Sequence, residues 1–307
     1  MQGRVFKSTG SWYNVVAEDN QPYQCRLRGK FKLEGMKVTN PIAVGDWVEL
    51  EIEDKANNTG LITDILPRTN YIIRKSTRKT AHGHIIATNI DQAVLIATLV
   101  FPRTSLGFID RYLVTAESFR IPTLVVFNKT DLLDQEGIAY QEELCMLYQQ
   151  IGYDTISISA FKPEDIERLK KKLERKTSLF SGHSGVGKST ILNLLHPDIR
   201  QKTAEVSTFA EKGVHTTTFA EMFLIAKETF VIDTPGIKEM GLMDIQEGEL
   251  SHFFPEMRAL MGQCKFYNCT HTHEPKCAVI EAVQSGEISA SRYYNYLSML
   301  EDEDNRR

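Results

Sequence analysis

Eight consecutive residues, Gly182-His183-Ser184-Gly185-Val186-Gly187-Lys188-Ser189, fit the pattern G-x-x-x-x-G-K-S and are followed by Thr190. In such a run the glycines let backbone N–H groups close around phosphate oxygens, and a helix that starts there adds positive potential. Lys188 would reach the β and γ phosphates as a charge-stabilising catalytic group, and Ser189 would bind Mg²⁺. Asn128-Lys129-Thr130-Asp131 names the base. A carboxylate at Asp131 can accept both N1–H and N2–H₂ of guanine, which adenine cannot offer together. Asn128 would brace the loop, and Lys129 would lie along the base. Ser159-Ala160 has the form of a loop whose backbone N–H reads guanine O6. Asp233-Thr234-Pro235-Gly236 has D-x-x-G spacing, which sets a carboxylate near Mg²⁺ and a glycine N–H at the γ phosphate. Between these lies the hydroxyl-rich segment Gly213-Val214-His215-Thr216-Thr217-Thr218. One of its threonines would complete the Mg²⁺ shell; Thr217 is preferred, and Thr216 and Thr218 fit nearly as well.

A second cluster points to metal. Cys264, Cys269, His271 and Cys277 supply three thiolates and an imidazole, the donor set of a closed, structural zinc site, with His273 as the alternative histidine. Arg26, Arg28, Lys30, Lys32 and Lys37 crowd one short stretch opposed by Glu34 alone, and the period-two spacing of the first four sets them on one face of a strand. From Arg68 to His84, with Arg74, Lys75, Arg78 and Lys79 between, no acid occurs, and this run reads as a basic linker. Both patches suit salt-dependent, sequence-insensitive contact with RNA phosphates.

The elements that must hold these residues change character along the chain. Up to about Arg68, short β-forming runs (Val5-Phe6, Trp12 to Val16, Tyr23 to Leu27, Trp47 to Ile52, Leu61 to Leu66) alternate with turn residues, which suits a small barrel of OB or SH3-like type. From Gln92 to Asp233, apolar strands alternate with helical segments, the layout of an α/β domain with a mostly parallel sheet. The strands expected there are Gln92 to Leu99, Thr123 to Phe127, Thr155 to Ser159, Ser178 to Phe180, Ala220 to Ala226 and Thr229 to Ile232. Helices are expected at Ile109 to Phe119, Ile138 to Gln150, Glu164 to Lys172 and Lys188 to Leu195. After Gly236 the pattern is helical around the Cys/His cluster, with an acidic tail.

With 307 residues, 42% of them apolar, the chain can bury several cores, and its five cysteines do not form a disulfide framework. The longest apolar stretch, Ala93 to Phe101, is too short for a membrane span, and no signal-peptide pattern opens the chain, so a cytoplasmic protein is expected. The net charge of −4 gives no global sign of nucleic acid, so DNA is not expected as a partner and RNA contact must be local. Monomer is the default.

In Ras-like GTPases the motifs run phosphate loop, threonine switch, D-x-x-G, N-K-x-D and S-A. Here N-K-T-D and S-A come first, a circular permutation that keeps the site while moving the termini. A barrel, a permuted GTPase domain and a Cys-x₄-Cys-x-His-x₅-Cys segment together resemble the ribosome small-subunit-dependent GTPase A family over essentially the whole chain. The resemblance implies a multidomain α/β protein. An OB-type β-barrel (1–68) would bind RNA, a circularly permuted P-loop GTPase domain would span 69–240, and a helical zinc-binding domain 241–307. It further implies binding to the 30S ribosomal subunit and its 16S rRNA late in maturation, with subunit-stimulated hydrolysis of GTP to GDP. Ras-type enzymes orient the attacking water with a glutamine directly after the D-x-x-G glycine; here Ile237 stands there. Intrinsic hydrolysis should be slow, and His215 is the substitute that the family implies. A zinc- and nucleotide-containing RNA-binding module with incidental hydrolysis is the competing reading.

Overall fold

The structure, a computed structural model, describes residues 1–29, 40–75, 83–196, 220–234 and 247–301. Five strands come first: β1 (Gln2–Ser8), β2 (Tyr13–Ala17), β3 (Pro22–Leu27), β4 (Trp47–Asp54) and β5 (Thr59–Ile65). In β2 and β3 every second residue is buried, the period of a strand with one face on a core and one in water. The ladders run β1–β2–β3–β5–β4 and close through β4 onto β1, with β3–β5 the parallel pair. This closure is that of an OB-type barrel, filled by Val5, Val15, Cys25, Val48, Leu50 and Ile62.

The described ends of the basic run after the barrel form paired strands. Tyr71–Lys75 (β6) and Gly83–Thr88 (β7) pair as an antiparallel ribbon, with Arg74 opposite His84 in the register. Ile72 and Ala87 are fully buried against the following domain. Arg68 is likewise structural: its guanidinium lies 2.7 Å from Asp46, both side chains are nearly inaccessible, and it also donates to the Pro41 carbonyl.

The α/β region contains β8 (Gln92–Ala97), α1 (Leu106–Ser118), β9 (Thr123–Phe127), α2 (Gln135–Ile151), β10 (Asp154–Ser157), α3 (Pro163–Leu173), β11 (Thr177–Ser181), α4 (Lys188–Leu195), β12 (Glu221–Ala226) and β13 (Thr229–Asp233). Its sheet order is β10-β9-β8-β11-β13-β12, parallel except for β12. β8, β9 and β11 are buried at every position, because helices cover both faces. Alternate side chains enter two cores: Leu95, Val125 and Phe127 meet α1, while Val94, Ile96 and Phe180 meet α3 and α4. Helix ends are set locally. Ser105 Oγ accepts the Phe108 N–H to start α1, and Asp134 accepts from Gly137 to start α2, which ends on Gly152 in the left-handed region. The barrel joins this sheet where Lys7 pairs with Glu221, a register pair that is also an ion pair at 3.0 Å.

The C-terminal part packs on α1. It comprises a 3₁₀ segment (Glu247–Phe253) and helices Pro255–Arg258, Ala278–Ser285 and Ala290–Leu300. Its seam with α1 is ionic and buried. Arg292 Nη1 donates to Asp110 Oδ1 at 2.7 Å, and its Nε donates to Glu256 at 2.7 Å. Asn295 and Tyr148 also donate to Asp110, so both oxygens of its carboxylate are engaged. Burial works against charge on Arg292, but the carboxylates of Asp110 and Glu256 outweigh it and hold its pKa above the ordinary value. Among the described residues no helix is long and apolar enough to cross a membrane. Arg292→Ala would leave two acids facing each other without a cation and is expected to cost about 3–5 kcal/mol. The urea midpoint of the C-terminal transition measures this, and an unchanged midpoint would refute the account.

Candidate nucleotide and metal sites

The carboxyl ends of β8, β9, β10, β11 and β13 lie along one side of the sheet, the side on which ligands bind in open α/β folds. The glycine-rich loop Gly182–Gly187 joins β11 to α4, with Lys188, Ser189 and Thr190 in the first turn of the helix. Gly182, Gly185 and Gly187 have φ of 149°, 85° and 96°. At Gly187 a Cβ would collide with the amide of Asn128. Only glycine lets the two loops meet there.

Asn128 joins three loops. Its Nδ2 donates to the Val186 carbonyl at 2.8 Å and its Oδ1 accepts the Ala160 N–H at 3.2 Å. Lys129, at φ 66°, directs its Nζ to the Phe101 carbonyl at 2.5 Å. Asp131 Oδ1 accepts the Ser159 hydroxyl at 2.5 Å, and the Ser159 N–H is held by Asp165 at 2.8 Å. His183 lies against Phe108 of α1 with ring centroids 3.9 Å apart and planes tilted by 33°, while Ser184 is exposed. Asp233 ends β13. Burial lifts its carboxyl above the ordinary carboxylate pKa against the pull of the Lys188 ammonium. Its Oδ1 is buried and has no hydrogen-bond partner among the described residues. An orphaned buried carboxylate oxygen beside Lys188 and the helix that carries Ser189 is a fitting seat for a divalent cation. His215, the threonines 216–218, Gly236 and Ile237 lie outside the described residues.

The side chains of Cys264, Cys269, His271 and Cys277 converge, with one ligand atom from each and all four within 4.8 Å of one another. Cys264 and Cys277 sulfurs are 3.8 Å apart, which matches the ~3.8 Å edge of a tetrahedron with ~2.3 Å metal–sulfur bonds. His271 contributes Nδ1, 3.3 Å from the Cys277 sulfur. His273 is exposed and pairs with Thr272, so His271 is the histidine of the cluster. Burial pushes the Cys269 thiol up to about 12 and lowers the His271 imidazole pKa. Without a cation these groups would stay neutral; with one, the thiols become thiolates. Tyr293 and Tyr296 hydroxyls hold the carbonyls of His271 and Thr270 at 2.7 Å, fixing the ligand loop from the last helix.

The two described arginines of the expected basic face already have partners. Arg26 lies 3.7 Å from Glu53 and over the Trp12 ring, and Arg28 lies 3.0 Å from Glu51. Glu34 is therefore not the only opposing acid; β4 supplies two more. Both pairs are exposed and weak, so phosphate could still displace them. Lys30, Lys32, Arg78 and Lys79 fall outside the described residues, and the backbones of Arg74 and Lys75 lie on β6. Sequence reasoning missed Asp165 under Ser159, the Lys129–Phe101 contact, and the Asp110–Arg292 seam.

A phosphate loop at the centre of the sheet, an N-K-x-D loop locked to it, and D-x-x-G later in the chain define a circularly permuted P-loop GTPase. The RsgA GTPase family model matches residues 65–243, and the RsgA N-terminal domain model matches residues 2–62. A small ribosomal subunit biogenesis GTPase RsgA from Cytophaga hutchinsonii is 51% identical over 307 residues, covering 100% of both chains. Another from Bacteroides fragilis is 47% identical over 304 residues, covering 99% of this chain and 97% of the relative. Among solved structures, YjeQ from Thermotoga maritima superposes with a TM-score of 0.77 at 35% identity, covering 100% of this chain and 99% of that one. YloQ, described as a circularly permuted GTPase, superposes with a TM-score of 0.75 at 29% identity, covering 100% and 96%. The chain belongs to the RsgA GTPase family.

Asn128→Ala would leave the Val186 carbonyl and the Ala160 N–H buried without partners, a loss of about 1–3 kcal/mol. GDP affinity should fall roughly 5- to 150-fold. Isothermal titration against GDP tests it; an affinity within twofold of the unaltered chain would refute the bridging role.

Proposed function

We propose that this chain is a cytoplasmic, monomeric GTPase that binds the small (30S) ribosomal subunit and its 16S rRNA during late maturation, and that the subunit stimulates its hydrolysis of GTP to GDP and phosphate. The observation that carries the nucleotide reading is the Asn128 amide, which holds the phosphate loop and the base-reading loop in one frame. The names borne by its full-length relatives support the ribosomal part. In this reading Asp131 reads the guanine edge, Lys129 lies along the base, and Ser159-Ala160 faces O6. The N–H groups of residues 182–189 cradle the phosphates with Lys188, and Gly236 meets the γ phosphate. Ser189, Asp233 and Thr217 hold Mg²⁺, which when bound neutralises charge on the β and γ oxygens. His215 takes the proton of the attacking water or donates to the γ phosphate, the task for which Ile237 has no polar group. Arg26, Arg28, Lys30, Lys32, Arg74, Lys75, Arg78 and Lys79 are the proposed rRNA contacts.

Ile237 also supports a second reading, an RNA-binding module whose hydrolysis is incidental. Turnover with and without purified 30S subunits separates the two. Strong stimulation is expected, with His215→Ala losing the stimulated rate while keeping GDP affinity. Binding without stimulation would favour the second reading, and unchanged stimulation in His215→Ala would remove its assigned role.

We further propose that Cys264, Cys269, His271 and Cys277 hold one structural zinc ion. Four protein ligands leave no position for water, and binding at such a site supplies on the order of 10–16 kcal/mol to the fold around it. Metal analysis of freshly purified protein should find one zinc per chain, and chelation should abolish the C-terminal unfolding transition while sparing GDP binding. Protein free of zinc as purified would reject the site.

A further inference from the structure

His271 and His273 are separated by a single residue, yet only His271 joins the sulfurs while His273 is exposed. An extended segment turns residues i and i+2 to the same side, so a straight run through residues 270–273 would present both imidazoles to the cluster. The chain is not straight there. His271 sits at φ 58°, in the left-handed region, where a non-glycine residue stays only if its surroundings impose it.

Those surroundings are hydrogen bonds to one side chain that is not itself a ligand. Glu274 Oε1 accepts the Thr270 N–H and the Thr270 hydroxyl, both at 2.6 Å. Its Oε2 accepts the Thr272 N–H at 3.0 Å and the His273 N–H at 3.2 Å. The His271 N–H between them goes to the Cys269 sulfur. On the opposite side of the same loop, the carbonyls of Thr270 and His271 are those that Tyr296 and Tyr293 hold. The loop is thus gripped along its N–H groups by a carboxylate and along its carbonyls by a helix.

We infer that Glu274 is the positioning residue of the metal centre: its carboxylate holds residues 270–273 in the bend that brings His271 Nδ1 to the sulfurs and sends His273 outward. The inference rests on the reading of the cluster as a zinc site. Glu274 lends no ligand atom, since the four donors are complete without it. Its effect is on organisation. With the loop already bent, His271 meets the ion without rearrangement; with the loop released, the imidazole has to be ordered at the moment of binding, and affinity falls by that cost. A glutamine in this place cannot substitute, because its NH₂ would face N–H groups and the charge that strengthens the bonds would be gone.

The test uses the full chain, with zinc and cobalt(II) as probes. In competition with a chromogenic chelator, Glu274→Gln should lose about 10- to 100-fold in zinc affinity. Thr270→Val removes only the hydroxyl donor and should lose less, roughly two- to tenfold. Cobalt(II) in the unaltered chain should show the ligand-field bands of three thiolates and one imidazole. His271→Ala supplies the reference spectrum of a centre without the imidazole, and Glu274→Gln should shift toward it. A residue that merely supports the fold would leave that spectrum unmoved. Zinc affinity within twofold for Glu274→Gln, or a cobalt spectrum matching that of the unaltered chain, overturns the inference. If Glu274→Gln yields no folded protein, Thr270→Val decides, and an undiminished zinc affinity there overturns it. An unaltered chain that takes up neither zinc nor cobalt would instead defeat the reading of the cluster itself.

Discussion

One buried carboxamide sits where the ends of four strands meet. Asn128 directly follows β9, reaches the loop after β11 through its Nδ2, and accepts from the loop after β10 through its Oδ1, while its own N–H is held by the Ala97 carbonyl of β8. Each contact lies inside the fold, where an amide that loses a partner is costly. The glycine-rich loop after β11, the N-K-T-D loop after β9 and the Ser159-Ala160 loop after β10 are thereby set at fixed separations. Gly187 is the complement of this residue, since any side chain there would fill the space the amide occupies.

This frame explains why the order of motifs along the chain is immaterial to the site and material to everything around it. The sheet places β8 beside β11 and β11 beside β13 whatever the sequence order. What the rotation alters is attachment. D-x-x-G becomes the last motif before the Cys/His part, which gives any movement of that loop a covalent route outward. A non-covalent route exists as well: α1 carries Phe108, in contact with His183 of the phosphate loop, and half a turn later Asp110, gripped by Arg292 and Asn295. The C-terminal part is therefore moored to the helix that touches the phosphate loop rather than hanging from a single connection.

Most of the site was legible because its chemistry is local. The phosphate loop, N-K-T-D and the Cys₃His set each occupy a short run, and strands such as Thr123–Phe127 announce themselves by unbroken apolar character. What escaped has partners far away in sequence. Arg68 looked like part of a linker because nothing near it reveals Asp46. In sequence only Glu34 stands against Arg26 and Arg28, because the glutamates that meet them come from a strand that reaches β3 only through β5. The β6–β7 ribbon was obscured by charge: Arg74, Lys75 and His84 flank the few apolar residues that anchor it. Asp110 and Arg292 stand 182 positions apart, and no periodicity links an acid in one helix to a base in another at that distance.

The ionic seam on α1 also bears on which parts of this protein can be exchanged with those of a relative. The barrel meets the sheet edge through a strand register and a half-exposed ion pair, contacts that tolerate drift on either side. Arg292 has no such latitude, because its charge is acceptable only where an acid on α1 and Glu256 both wait for it. A C-terminal module grafted from another member would seat only on an α1 with a matching carboxylate. The nucleotide domain and the Cys/His part are thus matched to each other through Asp110 and Arg292, a demand that the barrel contact does not make.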